Sequence, residues 1–280
     1  MMPLIVGLCV IEDEGIVLET AQELKTQLQG LSVQFYFKAS FDKANRTSLE
    51  SFRGPGLIEG LKILERVKTK VGVALCTDFH TPNQAVPVAE LVDVLQVPAF
   101  LCRQTDMIVS GTKAALKFQR KLNIKKGQFL SPKSVKNIVE KVRTVLHHEE
   151  SAFSDFLCIT ERGVSFGYND LVVDMTSFQC IKEFGVSVIY DVTHSVQVPG
   201  GALGGKATGG KREYLEVLAR AAVAAGADGI FMECHPNPPL AKSDGPNAFY
   251  LEHVGAFVKQ LLEIKSLVGT LPRVSRKGCE

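Results

Sequence analysis

The chain has 280 residues, 45% of them hydrophobic, and a formal net charge of +2. That is enough apolar material for a well-buried core, and too balanced a charge for an acidic or basic tail protein. Nucleic acid is excluded as the main partner, because duplex binding needs a concentrated basic face and the cations here are spread among loops.

The amino-terminal run from Met1 to Val10 is apolar, lacks a basic leader and meets Glu12, Asp13 and Glu14 at once. It is too short for a membrane span and wrong for a signal peptide. Seven cysteines form no CxxC pair and no even framework, which points to free thiols in a reducing compartment. The reading is a soluble cytoplasmic protein with no membrane partner.

Short β-branched or apolar runs predict strands at Leu4–Val10, Val33–Phe37, Val73–Thr77, Val92–Gln96, Leu122–Lys125, Phe156–Thr160, Ser187–Asp191 and Gly229–Glu233. Amphipathic segments between them predict helices, among them Gly56–Thr69, Ser134–Val145, Arg212–Ala225 and Leu251–Leu267. Leu57, Leu61, Leu64 and Val67 fall on one face of the first of these. Eight strands alternating with helices predict an α/β fold, a single (β/α)8 TIM barrel with residues 1–280 as one catalytic domain. A doubly wound open sheet is the competitor.

The strand ends separate the two. Cys9, Lys38, Asp78 with His80, Gln96, Lys125, Arg162, His194, and Glu233 with His235 stand at or just past a strand's last apolar residue. In a barrel all such ends open on the carboxyl-terminal face, where the active site forms. An open sheet would gather polar ends only near its switch point.

The stretch Lys38-Ala-Ser-Phe-Asp-Lys-Ala-Asn-Arg-Thr47 follows the second strand with three cations and four hydrogen-bonding side chains. Fixed donors in that density point to phosphate or carboxylate recognition. Lys125 and Lys126 end the fifth strand, and alternation sends one into the barrel mouth and the other away. A mouth lysine is either a Schiff-base nucleophile or an anion clamp. Arg103 and Arg162 add fixed cations, and so many on one rim suggest two anionic substrates. The glycine-rich segment Pro199–Lys211 nearly matches a P-loop, but Ala207 replaces the hydroxyl residue after Lys206. It reads as an active-site lid.

Taken singly, Cys9 is a small core residue and His194, Glu233 and Asp244 are ordinary loop groups. Jointly they come from strands one, seven and eight, which become neighbours when a barrel closes. One thiol, one imidazole and two carboxylates there make a plausible site for zinc or iron. His147 and His148 read as surface residues, and His253 as a helix residue without a role.

The longer motifs resemble the 3-deoxy-D-manno-octulosonate 8-phosphate (Kdo-8-phosphate) synthases. They are Lys38–Thr47, Ser51–Gly56, Pro98–Asp106, Asn123–Phe129, Glu161-Arg162-Gly163 with Phe166–Asn169, Asp191–Gln197 and Phe231–Pro236. The likeness to the 3-deoxy-D-arabino-heptulosonate 7-phosphate synthases is more distant, since Lys-Ala-Asn-Arg followed by a hydroxyl residue marks the five-carbon-sugar branch. A heptulosonate synthase using erythrose 4-phosphate and a non-catalytic sugar-phosphate-binding barrel are the alternatives.

The resemblance implies condensation of phosphoenolpyruvate with D-arabinose 5-phosphate and water, with release of inorganic phosphate, in lipopolysaccharide Kdo biosynthesis. It implies that Lys38, Lys43, Gln96, Lys125 and Arg162 bind phosphoenolpyruvate, with Lys125 clamping the anion rather than forming a Schiff base. Ser40 joins the substrate-binding set. Asn45, Arg46 and Thr47 would hold the sugar phosphate, with Asp78 and His80 beside its aldehyde. Arg103 would reach across a subunit interface of a homotetramer. Cysteine rather than asparagine on strand one implies the metal-dependent class. Cys9, His194, Glu233 and Asp244 would then bind a divalent metal (zinc, iron, manganese or cobalt), with Lys125, His194 and Asp244 in catalytic roles. Two departures from the family pattern stand out. Leu8 replaces the usual proline before Cys9, which is expected to loosen the ligand's backbone. A longer connection over Gly111–Lys121 is expected to give a bulge or an extended helix.

Overall fold

A computed structural model describes residues 1–147, 153–168, 170–202 and 207–272. Eight parallel strands close on themselves: β1 (Met2–Val10), β2 (Val33–Ser40), β3 (Ala74–Asp78), β4 (Val94–Val97), β5 (Lys121–Lys125), β6 (Leu157–Glu161), β7 (Ser187–Asp191) and β8 (Gly229–His235). β8 returns to β1 with Leu4 opposite Ile230 and Gly7 opposite Glu233, so the molecule is a (β/α)8 barrel and not an open sheet. Every predicted strand is present, with ends shifted by at most three residues.

The outer layer is formed by α1 (Glu14–Gln27), α2 (Leu57–Lys70), α3 (Ala85–Leu91), α4 (Thr105–Lys117), α5 (Lys136–Val145), α6 (Ser177–Lys182), α7 (Leu215–Ala224) and α8 (Val254–Thr270). Asp13 caps α1 by accepting a hydrogen bond from Ile16 N at 3.0 Å, which gives the early acidic run a structural purpose. In α2, Leu64 and Val67 are fully buried, with Leu57 and Leu61 packed against the core. Over Gly111–Lys121 there is no bulge: α4 runs on to Lys117, and Gln119 (φ 55°) turns the chain into β5.

Alternation along each strand builds the site. One parity packs outward under the helices, as with Leu4, Val6, Phe37, Leu75, Leu122, Ile159 and Ile230. The other parity fills the barrel with an apolar plug of Ile5, Tyr36, Cys76, Val94, Ile189 and Phe231. Two residues further on, the same parity becomes polar at Lys38, Asp78, Gln96, Asp191 and Glu233. Gly7 keeps β1 and β2 together, because a Cβ there would stand 2.1 Å from Lys38 O. Two antiparallel hairpins rise beyond the mouth: Val164–Phe166 with Asp170–Val172, and Gln197–Ala202 with Ala207–Gly210. Residues 203–206 of the expected lid, and Asn169 and His148, lie outside the described residues. None of the helices among the described residues is long and apolar enough to cross a membrane.

Candidate active site

The carboxyl-terminal ends of the strands open into a cavity of about 690 Å³. Lys38, Lys43, Asn45, Arg46, Thr47, Asp78, His80, Gln96, Lys125, Arg162, His194, Glu233 and Asp244 all line it. Thirteen expected site residues thus share one wall system. Cys9 lies just beneath, 7% exposed, and meets the cavity through its neighbours.

Cys9 Sγ is 3.0 Å from Ser243 Oγ and 3.2 Å from Asp244 Oδ2. Donor atoms of Cys9, Glu233 and Asp244 all lie within 4.8 Å of one another. His194 Nε2 faces the same group, 3.4 Å from Glu233 Oε2 and 3.8 Å from Asp244 Oδ2. Asp244 holds its place with φ 51°, a left-handed conformation for a residue other than glycine. Glu233 Oε2 is buried without a hydrogen-bond partner among the described residues. A buried, unsatisfied carboxylate oxygen costs free energy that a cation would recover. Sulfur, imidazole and two carboxylates also form a donor set suited to zinc, iron, manganese or cobalt, so the residues fit a divalent metal.

Cations surround this cluster. Lys38 Nζ donates to Glu233 Oε1 at 2.5 Å and to Cys9 O at 2.9 Å, with Leu8 O at 3.3 Å. The β1 backbone at Cys9 is therefore pinned by a lysine, while the Leu8 side chain is fully buried in the core. Lys43 Nζ stands 3.8 Å from Glu233 Oε1. Burial would raise the Glu233 carboxyl, but Lys38, Lys43, His194 and Lys125 more than offset it and hold it well below its ordinary value. Burial, followed by the Glu233 charge, pushes the Cys9 thiol well up.

Asp191 organises the opposite wall, and the sequence reading gave it no role. Its carboxylate accepts from Lys125 Nζ at 2.6 Å and from His194 N at 2.9 Å, and it faces His194 Nδ1 at 2.9 Å. Nδ1 thus carries its proton toward Asp191, which leaves Nε2 open toward Glu233 and Asp244. The usable signal was parity: Asp191 is a strand-final carboxylate three residues before His194. Burial pulls the Lys125 ammonium below its ordinary value, against Asp191 and Glu233. Lys125 Nζ also lies 3.5 Å above the Phe231 ring centroid. Arg162 Nη2 donates to His194 O at 3.0 Å and Gln197 Oε1 at 2.6 Å, and its buried Nε has no partner among the described residues.

Gln96 Oε1 accepts from Asn123 Nδ2 at 3.0 Å. Asp78 lies 3.2 Å from His80 Nε2, and the Arg46 guanidinium donates to Phe52 O and Lys242 O. Two expected residues stand apart. Ser40 is buried, lies off the cavity and has an unpartnered hydroxyl among the described residues. Arg103 is exposed and lies outside the cavity, although Phe100 and Leu101 of the same turn line it. Lys126, the second lysine of the pair, points away from the cavity to Glu161 at 3.3 Å, as alternation predicts.

The model of the DAHP synthetase I family matches residues 1–270. The chain belongs to the DAHP synthetase I family. Within it, the chain is 52% identical over 265 residues to the 2-dehydro-3-deoxyphosphooctonate aldolase of Geotalea daltonii, covering 95% of this chain and 93% of that one. The protein of the same name from Campylobacter jejuni is 52% identical over 271 residues, covering 95% and 97%. The one from Trichlorobacter lovleyi is 48% identical over 268 residues, covering 96% and 94%. Among DAHP synthetase I proteins, the likeness is thus to the Kdo-8-phosphate branch that the Lys38–Thr47 motif indicated.

Proposed function

We propose that this chain condenses phosphoenolpyruvate with D-arabinose 5-phosphate and water, giving 3-deoxy-D-manno-octulosonate 8-phosphate and inorganic phosphate. The observation that carries the reading is one cavity in which several cations flank a metal-type cluster, in a chain half identical to proteins named for that octulosonate. The heptulosonate alternative rests only on the broader family model.

Lys38, Lys43, Gln96, Lys125 and Arg162 take phosphoenolpyruvate, whose phosphate and carboxylate repel each other unless spaced cations offset both charges. Asn45, Arg46 and Thr47 take the sugar phosphate, and Asp78 and His80 stand beside its aldehyde. Ser40 supports this group from behind the cavity wall. The C3 of phosphoenolpyruvate attacks the aldehyde carbon, whose oxygen takes up a proton. Water adds at C2, and the resulting hemiketal phosphate loses phosphate by C–O cleavage. His194 and Asp244 hold and move protons at the aldehyde and water oxygens. Lys125 clamps the anion and, with its lowered proton affinity, protonates the departing phosphate. Cys9, His194, Glu233 and Asp244 would hold a divalent metal ion, which would polarise the aldehyde and orient water.

The whole chain acts as one catalytic unit, as a cytoplasmic homotetramer in which Arg103 serves a neighbouring cavity. Six free cysteines among the described residues support the reducing compartment, and Arg103's position outside its own cavity supports the shared site. Phosphate release measured with arabinose 5-phosphate and with erythrose 4-phosphate tests the reading. Release only when phosphoenolpyruvate and the pentose are both present is expected. Preference for the four-carbon sugar, or no release with either, overturns it.

A further inference from the structure

Alternation divides the adjoining ends of β5 and β6 into a front pair and a back pair. Lys125 and Arg162 line the cavity, and both touch His194, one at Nδ1 (3.2 Å) and the other at its carbonyl oxygen (3.0 Å). Behind them, off the cavity, Lys126 and Glu161 are 0% and 1% exposed. Lys126 N donates to Thr160 O at 2.8 Å, so the two strand ends are also joined by backbone.

The back pair meets through a single oxygen. Glu161 Oε1 lies 3.3 Å from Lys126 Nζ and accepts from Gly163 N at 2.6 Å. One carboxylate oxygen therefore ties the residue after Lys125 to the residue after Arg162. Lys126 Nζ also donates to Leu130 O at 3.1 Å, which anchors the chain beyond it. Gly163 turns with φ +85° and leaves 3.1 Å between a built Cβ and Val172 O, so a side chain in the turn that follows Arg162 would be strained.

A buried ion pair is weak evidence for stability, because apolar residues of the same volume often serve as well or better. Two charges retained behind two others call for another explanation. We propose that Lys126 and Glu161 are positioning residues that fix the separation of Lys125 and Arg162, and with it the affinity for a small ligand bearing both phosphate and carboxylate. The inference rests on the reading that Lys125 and Arg162 hold phosphoenolpyruvate.

Lys126→Met, Glu161→Gln and the double variant Lys126→Met/Glu161→Leu test this against the unaltered enzyme. Each is followed by thermal unfolding, by calorimetric titration with phosphoenolpyruvate and separately with D-arabinose 5-phosphate, and by steady-state kinetics. Both single variants are expected to weaken phosphoenolpyruvate binding and raise its KM about tenfold, with the KM for the sugar phosphate within about twofold. The double variant, its charges removed together, is expected to keep its Tm while losing the same affinity. Unchanged phosphoenolpyruvate affinity in folded variants, or equal weakening of both substrates, overturns the proposal. A double variant that does not fold assigns the pair a structural role and overturns it too. An unaltered chain that binds phosphoenolpyruvate without condensing it defeats the functional reading alone, and calorimetry then still decides the pair. One that binds no phosphoenolpyruvate overturns both.

Discussion

Cys9 Sγ lies 3.2 Å from Asp244 Oδ2 across 235 residues of sequence. The first strand and the loop beyond the eighth meet because the barrel closes, and the contact joins a thiol to a carboxylate beside the unsatisfied Oε2 of Glu233. Cys9→Ala is expected to lower bound metal to background in elemental analysis of freshly purified protein, with loss of turnover. A dipicolinate-type chelator should do the same to the unaltered chain, and Mn²⁺, Co²⁺ or Cd²⁺ should restore activity. Full activity in metal-stripped protein would refute metal dependence.

Asp191 holds both Lys125 and His194, so Asp191→Asn should disturb the two together. Metal affinity is expected to fall about 10–100-fold, the range typical when a ligating histidine loses its carboxylate partner. Competition with a chromogenic chelator measures this without reference to turnover. Unchanged metal affinity would confine Asp191 to Lys125.

Lys38 neutralises Glu233 at 2.5 Å in a fully enclosed setting. Lys38→Met leaves that carboxylate with Lys43 at 3.8 Å and His194 at 3.4 Å as its nearest partners, and is expected to destabilise the fold by about 3–5 kcal/mol. Denaturant unfolding monitored by circular dichroism checks this, and a loss below about 1 kcal/mol would mean that Lys43 compensates.

Asp78 is held below the ordinary carboxylate range: burial opposes its charge, but His80, Lys38 and Lys43 outweigh burial. A depressed folded value gives stability that is fully present above the unfolded value of about 3.9 and is lost as pH falls below it. Asp78→Asn should therefore lower stability at pH 7 and flatten the loss below about pH 4. An unaltered acid limb in urea titrations would show that Asp78 is not the group involved.

For Arg103, mixing the Arg103→Ala protein with an Arg162→Ala protein should restore part of the lost activity, since mixed oligomers would contain some cavities with both arginines intact. No recovery after subunit exchange counts against a shared site.

All eight barrel strands and the polar rim were legible because one parity of each strand runs from apolar to polar at the mouth. Cys9, His194, Glu233 and Asp244 were legible as a group only because closure makes strands one, seven and eight neighbours. Short α3 and α6 were not legible: seven and six residues give too few turns for a 3.6-residue period to emerge, and α3 carries Pro87 within it. Asp191 escaped notice because an acid ending a strand looks like any solvated cap until its partners are placed. Ser40 shares the cation-rich motif but lies behind the wall, since β1 and β2 lose register between Gly7 and Val10 beside it. Ser243 went unremarked although its hydroxyl touches the Cys9 sulfur, because nothing in spacing alone brings position 243 to position 9.

The most direct test follows a carbon label. With phosphoenolpyruvate labelled with ¹³C at C3, D-arabinose 5-phosphate and the metal-loaded protein, the account predicts that the vinyl ¹³C signal is replaced by a methylene signal in an eight-carbon product, with equimolar inorganic phosphate. A label that remains in phosphoenolpyruvate, or passes to the methyl group of pyruvate, would contradict carbon–carbon bond formation in this cavity.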